Sequence, residues 1–179
     1  LAERPCYDIV AQAMGGIMDV TGPADGEPTK IGPAIADSYT GAMLCIGILI
    51  ALYRREKTGE GCHIDVAMVD TMISVLDHFL IDYTINGEIN SRSGNNDQAI
   101  APFDSFRTKN GMCVIACGTD AMFEKLCGLI GRPDLLEDER FSTNVNRCNN
   151  YGALKPELEA WTSEKSESEL ENILVNAGI

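Results

Sequence analysis

The chain has 179 residues, of which 45% are hydrophobic and 23% are charged, and its formal net charge is −13. This is an ordinary globular composition, and the length suits one domain or two small ones. A strongly negative field repels phosphate backbones, so nucleic acid is not expected as a partner.

The first half of the chain is predicted to be mainly helical. A short helix over residues 7–14 leads into a loop rich in glycine and proline at 21–33. The strongest helix is predicted over 37–57; it is hydrophobic nearly all round and is therefore expected to be buried. A short strand at 63–67 and an amphipathic helix at 69–86 follow.

The second half begins with a polar segment over residues 87–101 that is rich in glycine and asparagine, and it is interpreted as a linker or mobile loop. Strands are predicted at 103–108 and 112–117, because the Asn110-Gly111 pair between them is a strong hairpin signal. Three helices follow, and Ser166 with Glu169 is expected to form a capping box for the last one. The predicted helical ranges are 121–130, 152–162 and 167–176.

The seven cysteines are odd in number and have no zinc-site spacing, so neither a disulfide framework nor a metal site is predicted. They are expected to be reduced thiols that act as small hydrophobes in the cytosol. The most apolar segment, residues 42–53, is shorter than the ~20 helical residues that span a bilayer. No membrane association is therefore predicted.

Asp37 is the first candidate for chemistry, because it lies at the start of the strongest predicted helix. The residues alone leave two interpretations open. The carboxylate can serve as a helix N-cap, which is a common role for aspartate. Alternatively, the positive end of the helix dipole keeps it ionised and available as a nucleophile.

Two further segments are weaker candidates. Tyr7 and Asp8 begin the first helix, either as a packed aromatic residue beside a capping acid or as part of a site. Gly94 and Asn95 lie in the polar linker. A glycine-bearing loop can offer backbone N–H groups to a ligand, but it can equally be a flexible connection.

Several sequence blocks, taken in order, resemble the class III coenzyme A transferases, also called the CaiB–BaiF family. One contains Tyr7-Asp8-Ile9-Val10, and another is Ala36-Asp37-Ser38-Tyr39-Thr40-Gly41. The similarity extends over essentially the whole chain. The matching blocks are residues 4–16, 33–41, 51–61, 63–68, 131–135 and 141–144.

The resemblance implies that Asp37 is the catalytic nucleophile, which attacks an acyl-CoA thioester and forms an aspartyl anhydride and then an aspartyl thioester. It also implies contacts to coenzyme A from Arg4, whose guanidinium can meet a phosphate, and from Tyr7, Gly94 and Asn95. Acyl-CoA and a carboxylic acid are then the substrates. Coenzyme A enters as a substrate, so no resident cofactor and no metal are expected.

The resemblance further implies an α/β fold that is only partly present in this chain. Residues 1–88 are expected to belong to a Rossmann-like large domain, and residues 89–179 to be a linker and a small α+β domain. Both chain ends are expected to be cuts through a longer protein. An interlocked homodimer in the cytoplasm is implied as well.

Two alternatives to a CoA-transferase stay open. Acyl-CoA racemases and epimerases of the same superfamily carry a histidine where this chain has Tyr7, and they use it in α-proton exchange. A tyrosine, with an ordinary pKa of about 10, is poorly suited to that step, so transfer is favoured. The other alternative is an inactive fragment or binding module, since most CoA contacts of the family lie in an N-terminal part outside this chain.

Overall fold

A computed structural model describes residues 5–179 of the chain. The described residues form two compact units, one that reaches to Gly94 and one that covers Asn95–Ile179. Residues 87–102 contain neither helix nor strand, which confirms the predicted loop, and the division between the units falls inside it.

The first unit is helical throughout its regular elements. Its longest helix carries Asp37, and shorter helices precede and follow it. The elements are α1 (Asp8–Met14), α2 (Ile35–Thr58), α3 (Met68–Val75), α4 (His78–Ile81) and a π-helical turn (Asp82–Asn86).

Helix α2 contacts α1 and α3, yet most of its apolar surface remains exposed. Ala36 is its one fully buried residue, whereas Leu49, Ile50 and Tyr53 are 61%, 64% and 68% exposed. The prediction of a buried helix is therefore wrong for the described residues. Two short neighbours cannot cover a helix of 24 residues that is hydrophobic nearly all round.

The extent of α2 also bears on the membrane prediction. The helix continues past the apolar segment at 42–53 to Thr58, where Gly59 ends it in the left-handed region at φ 74°. Its length and composition are thus sufficient to cross a membrane, a test that core helices of soluble proteins also pass. The absence of a membrane association stays a prediction.

Two predicted elements of the first unit are corrected by the structure. Residues 63–67 do not form a strand, because a strand needs a hydrogen-bonded partner and the one sheet among residues 5–179 lies in the second unit. The helix predicted over 69–86 is broken after α3, where Asp77 adopts φ 49°. Such a conformation is incompatible with continued helix. The parallel sheet of a Rossmann-like domain is accordingly not found within the described residues.

The core of the first unit is small. Among residues 5–94, four hydrophobic residues are buried, namely Ala11, Ile17, Ala36 and Met72. Close approach of α1 to α3 depends on Gly15, since a Cβ atom there would overlap the Cβ of Met72. This contact fixes α1 in the place from which it reaches α2.

The second unit combines one hairpin with five helices. Strands β1 (Phe103–Arg107) and β2 (Met112–Ala116) pair antiparallel, with Phe103 opposite Ala116 and Arg107 opposite Met112, as predicted. The helices are α5 (Asp120–Ile130), α6 (Asp134–Glu137), α7 (Asn144–Asn149), α8 (Tyr151–Thr162) and α9 (Glu167–Ala177).

Local sequence signals account for most of these helices. The capping box of Ser166 and Glu169 at the start of α9 is confirmed. Helices α6 and α7 are not predicted from the sequence, because they are only four and six residues long and show no helical periodicity. Helices α5, α6, α8 and α9 and the hairpin contribute to a core far larger than that of the first unit. Its buried residues are Phe106, Ile115, Cys117, Phe123, Leu126, Cys127, Leu135, Phe141, Leu154, Leu158, Leu170 and Leu174.

The seven cysteines differ in burial, and Cys113 and Cys148 are half-buried. Cys117 and Cys127 are buried in the second core, where they act as small hydrophobes as predicted. Cys6, Cys45 and Cys62 are exposed among the described residues, so the prediction fails for these three.

A buried carboxylate lies between β1 and α8. Asp104 is 3% exposed, and its Oδ2 accepts hydrogen bonds from Lys155 Nζ at 2.6 Å and from the Tyr151 hydroxyl at 3.0 Å. Its Oδ1 accepts from the backbone N–H of Ser105 at 2.6 Å. Burial, and then the charge of Asp104, raise the pKa of Tyr151, so the phenol keeps the proton that it donates.

Candidate active site

Asp37 lies in the first turn of α2. The helix begins at Ile35, two residues earlier than predicted, and Ala34 occupies the N-cap position without a side-chain hydrogen bond. The interpretation of Asp37 as an N-cap is therefore wrong. Its side chain is exposed, and no residue among 5–179 donates a hydrogen bond to its carboxylate.

An open groove of about 440 Å³ runs past Asp37. One wall belongs to the first turns of α2, and the other to the extended segment that leads into α3. The lining residues are Asp37, Thr40, Gly41, Leu44, Ile64, Asp65, Val66 and Met68.

The chemistry of this groove suits an acyl group better than a phosphate. Leu44, Ile64 and Val66 supply apolar surface, and Asp37 supplies a carboxylate that accepts no hydrogen bond from residues 5–179. Asp65 adds a second acid, and within the same residues no lysine or arginine lines the groove.

A chain of hydrogen bonds connects α1 with the start of α2. Asp8 Oδ1 accepts from the backbone N–H of Ala36 at 2.8 Å, and its Oδ2 accepts from Gln12 Nε2 at 2.7 Å. Gln12 Oε1 in turn accepts from the backbone N–H of Ile31 at 2.8 Å. Asp8 thus fulfils the capping role that was considered for it, but at α2 rather than at its own helix.

Gln12, Thr40 and Asp65 are not predicted as site residues from the sequence. Gln12 is fully buried, and its position four residues after Asp8 is the one signal that could have indicated the pair. Thr40 Oγ1 is buried at the groove and has no hydrogen-bond partner within the described residues. Asp65 reaches the groove only through the path of the extended segment, which no local pattern predicts.

Of the other predicted site residues, Tyr7 and Gly94 lie in the first unit but are not among the residues that line the groove. Arg4 lies outside the described residues. Tyr7 is 78% exposed just before α1, so it is not a packed aromatic, although its neighbour Asp8 contacts the turn that carries Asp37. Tyr7 itself does not line the groove.

The predicted glycine loop is divided between the units. Gly94 has φ 69°, and its N–H donates to Gly22 O at 3.0 Å within the first unit. Asn95 begins the second unit, where its Nδ2 donates to Ser105 Oγ at 2.9 Å. Gly94 is not among the residues that line the groove at Asp37.

Within residues 5–179, no three His, Cys, Asp or Glu side chains are grouped so that they could hold a metal ion. The groove itself presents the carboxylates of Asp37 and Asp65 beside apolar side chains. An ionised carboxylate is chemically able to attack an uncharged carbonyl.

Comparison with known sequences gives concordant results. All 179 residues match the model of CoA-transferase family III. The chain is 41% identical over 180 residues to the acetyl-CoA:oxalate CoA-transferase of Acetobacter aceti, and this alignment covers 100% of the chain and 46% of that protein. It is 40% identical over 160 residues to the succinyl-CoA:mesaconate CoA-transferase of Haloarcula hispanica, and this alignment covers 89% of the chain and 40% of that protein.

A solved structure agrees with these sequence relatives. The crystal structure of a CaiB/BaiF family protein from Brucella suis superimposes with a TM-score of 0.84 at 43% identity. The match covers 99% of the chain and 47% of that protein. The chain thus spans less than half the length of each of these three proteins.

Proposed function

The chain belongs to CoA-transferase family III, and we propose that the whole protein moves coenzyme A from an acyl-CoA to a free carboxylic acid, with Asp37 as the nucleophile. The observation that carries this proposal is the exposed Asp37 carboxylate, which accepts no hydrogen bond from residues 5–179 and lies in a partly apolar groove at the first turn of α2. The enzymes named among its relatives carry out exchanges of this type.

In the first half-reaction, a carboxylate oxygen of Asp37 attacks the thioester carbonyl of the donor. The carbon–sulfur bond breaks, an acyl-aspartyl anhydride forms, and CoA leaves as a thiolate. The thiolate then attacks the aspartyl carbonyl, releases the donor acid and leaves an aspartyl-CoA thioester. Covalent capture retains the energy of the thioester, provided that water is kept away from the anhydride.

The second half-reaction reverses the order with a different acid. The acceptor carboxylate attacks the aspartyl thioester, and the thiolate leaves again. Its attack on the acceptor carbonyl yields the new acyl-CoA and regenerates the Asp37 carboxylate. One oxygen atom of the acceptor remains on Asp37 after each turnover.

Substitution of Asp37 tests the proposal in the full-length protein. Asp37→Asn and Asp37→Ala are expected to abolish exchange of CoA between two acids, whereas Asp25→Asn, at an exposed loop acid, is expected to leave it unchanged. A single turnover with an acceptor that carries heavy oxygen should place one labelled atom in the peptide that contains Asp37. Retained exchange in the Asp37 variants would refute the assignment.

The same samples distinguish transfer from racemisation. A racemase or epimerase would incorporate solvent deuterium at the α-carbon of an acyl-CoA without any acceptor acid. A transferase gives no such incorporation and requires the acceptor. Deuterium uptake without CoA exchange would therefore select the alternative activity.

We also propose that the full-length protein is a cytoplasmic homodimer with a Rossmann-like large domain that includes the first unit. Support comes from the exposed apolar surface of α2, where Leu49, Ile50 and Tyr53 would otherwise face water. Light scattering of the full-length protein is expected to give twice the mass of one chain. A monomer in solution would contradict the dimer.

A further inference from the structure

We propose that Asp8 and Gln12 form a hydrogen-bonded clamp that positions Asp37 for attack, so that both are positioning residues of the reaction. The inference rests on the proposed function, since it assigns a role in presenting the same nucleophile. It arises from the three hydrogen bonds between α1 and the segment that enters α2.

The clamp holds the chain on both sides of the turn into α2. The backbone N–H of Ile31 donates to Gln12 Oε1 before the turn, and the N–H of Ala36 donates to Asp8 Oδ1 after it. The bond from Gln12 Nε2 to Asp8 Oδ2, at 2.7 Å, connects the two anchors. The residue that follows Ala36 is Asp37.

A bond at this place controls the first turn because the helix lacks a cap of its own. Ala34 at the N-cap position has no side-chain acceptor, so the N–H of Ala36 depends on a carboxylate from another helix. The bond is charge-assisted and therefore stronger than one between neutral groups. Gln12 is fully buried, so water cannot replace the bonds that hold it.

Each hydrogen bond of the clamp pairs one donor with one acceptor, so a change of either side chain alone leaves two like groups facing each other. Asp8→Asn alone turns an amide group toward the Gln12 amide, so that two donors face each other. Gln12→Glu alone places two carboxylates against each other. The double variant, Asp8→Asn with Gln12→Glu, restores all three hydrogen bonds with the roles of the two side chains exchanged.

The test measures kcat and KM of the full-length enzyme, with kcat expressed per folded molecule. Each single substitution is expected to lower kcat roughly 10- to 100-fold, as small displacements of a reacting group do, with little change in KM. The double variant is expected to return to within about threefold of wild type, the scatter seen for independent sites. Asp25→Asn is the matched surface control.

Recovery of kcat in the double variant distinguishes a positioning role of Asp8 and Gln12 from a general contribution to stability. A residue that only stabilised the fold would lower the amount of folded enzyme and leave kcat per folded molecule unchanged. Single variants with unchanged kcat, or a double variant no better than either single one, would overturn the proposal. If the double variant does not fold, Asp8→Ala decides by the same criterion of kcat per folded molecule.

Failure of the clamp is distinguishable from failure of the proposed function. If Asp37→Ala abolishes exchange but the rescue fails, the clamp alone is wrong. If the wild-type protein shows no CoA exchange, the amide exchange of Ala36 with deuterated solvent still tests the clamp. That exchange should be faster in each single variant and slow again in the double variant, and equal rates in all four proteins would refute it.

Discussion

Substitution of Lys155 should lower the free energy of unfolding of the second unit, because it leaves the buried carboxylate of Asp104 without its ion-pair partner. Asp104 is 3% exposed, and Lys155→Met deletes the one cation within hydrogen-bonding distance of it in the described residues. Loss of one partner of a buried ion pair costs about 3–5 kcal/mol. Tyr151 and the N–H of Ser105 still donate to Asp104, and the Lys155 side chain is 34% exposed, so we expect about 3 kcal/mol.

Substitution of Asp104, the other partner of the ion pair, should lower the free energy of unfolding less. Asp104→Asn removes the buried charge. The amide oxygen can still accept from the N–H of Ser105, the amide NH2 can donate to the Tyr151 hydroxyl, and Lys155 can turn its ammonium group to water. Urea unfolding followed by the fluorescence of Trp161, the one tryptophan of the chain, measures both changes. The control is Lys125→Met, at an exposed lysine of α5. A loss for Lys155→Met no larger than for this control, or smaller than for Asp104→Asn, would refute the reasoning.

Two further predictions concern the cores. Gly15→Ala should destabilise the first unit by about 1–3 kcal/mol in a chemical unfolding curve, because the added methyl group overlaps Met72. The control is Gly128→Ala, which lies at an open helical position and should not destabilise the protein. Burial raises the pKa of the Cys117 and Cys127 thiols from 9.0 to about 11. Folding therefore favours their protonated form. This stabilisation is complete below about pH 9 and is lost as the pH rises through 11. Unfolding midpoints should fall over that range, and they should fall less steeply in the Cys117→Ala and Cys127→Ala variants.

The sequence predicts the second unit better than the first for a physical reason. The turn at Asn110-Gly111 and the capping box at Ser166 are decided by neighbouring residues, and both are confirmed. The strand at 63–67 and the unbroken helix at 69–86 depend on partners that are distant in sequence. Apolar periodicity does not reveal whether a partner strand exists for residues 63–67, and the described residues contain none. It also does not reveal that Asp77 breaks the following helix.

The candidate site divides in the same way. The block around Asp37 indicates the nucleophile through its family resemblance, but the residues that hold it are not evident from the pattern. Asp8 and Ala36 are 28 positions apart, and their hydrogen bond exists only because α1 packs beside α2. The polar character of Gln12 gives no indication that it is fully buried.

Some of the blocks that carry the resemblance have structural roles instead. Arg132 binds both carboxylate oxygens of Asp134, and these hydrogen bonds lower the pKa of that acid. Asn144 donates to Ala99 O at 2.7 Å and accepts from the N–H of Ala101 at 3.0 Å. These side chains fix the loops of the small unit, so similarity in these blocks reports on folding rather than on chemistry.

The unequal cores of the two units affect how the protein is made. Residues 5–94 leave the ribosome before residues 95–179, yet they bury only four core hydrophobics and leave the apolar face of α2 in water. Asn95–Ile179 is synthesised later but encloses a complete core of its own. Domains usually fold in their order of synthesis, and here the order is expected to be reversed. The apolar side chains of helix α2 are then exposed to water while residues 95–179 are still folding.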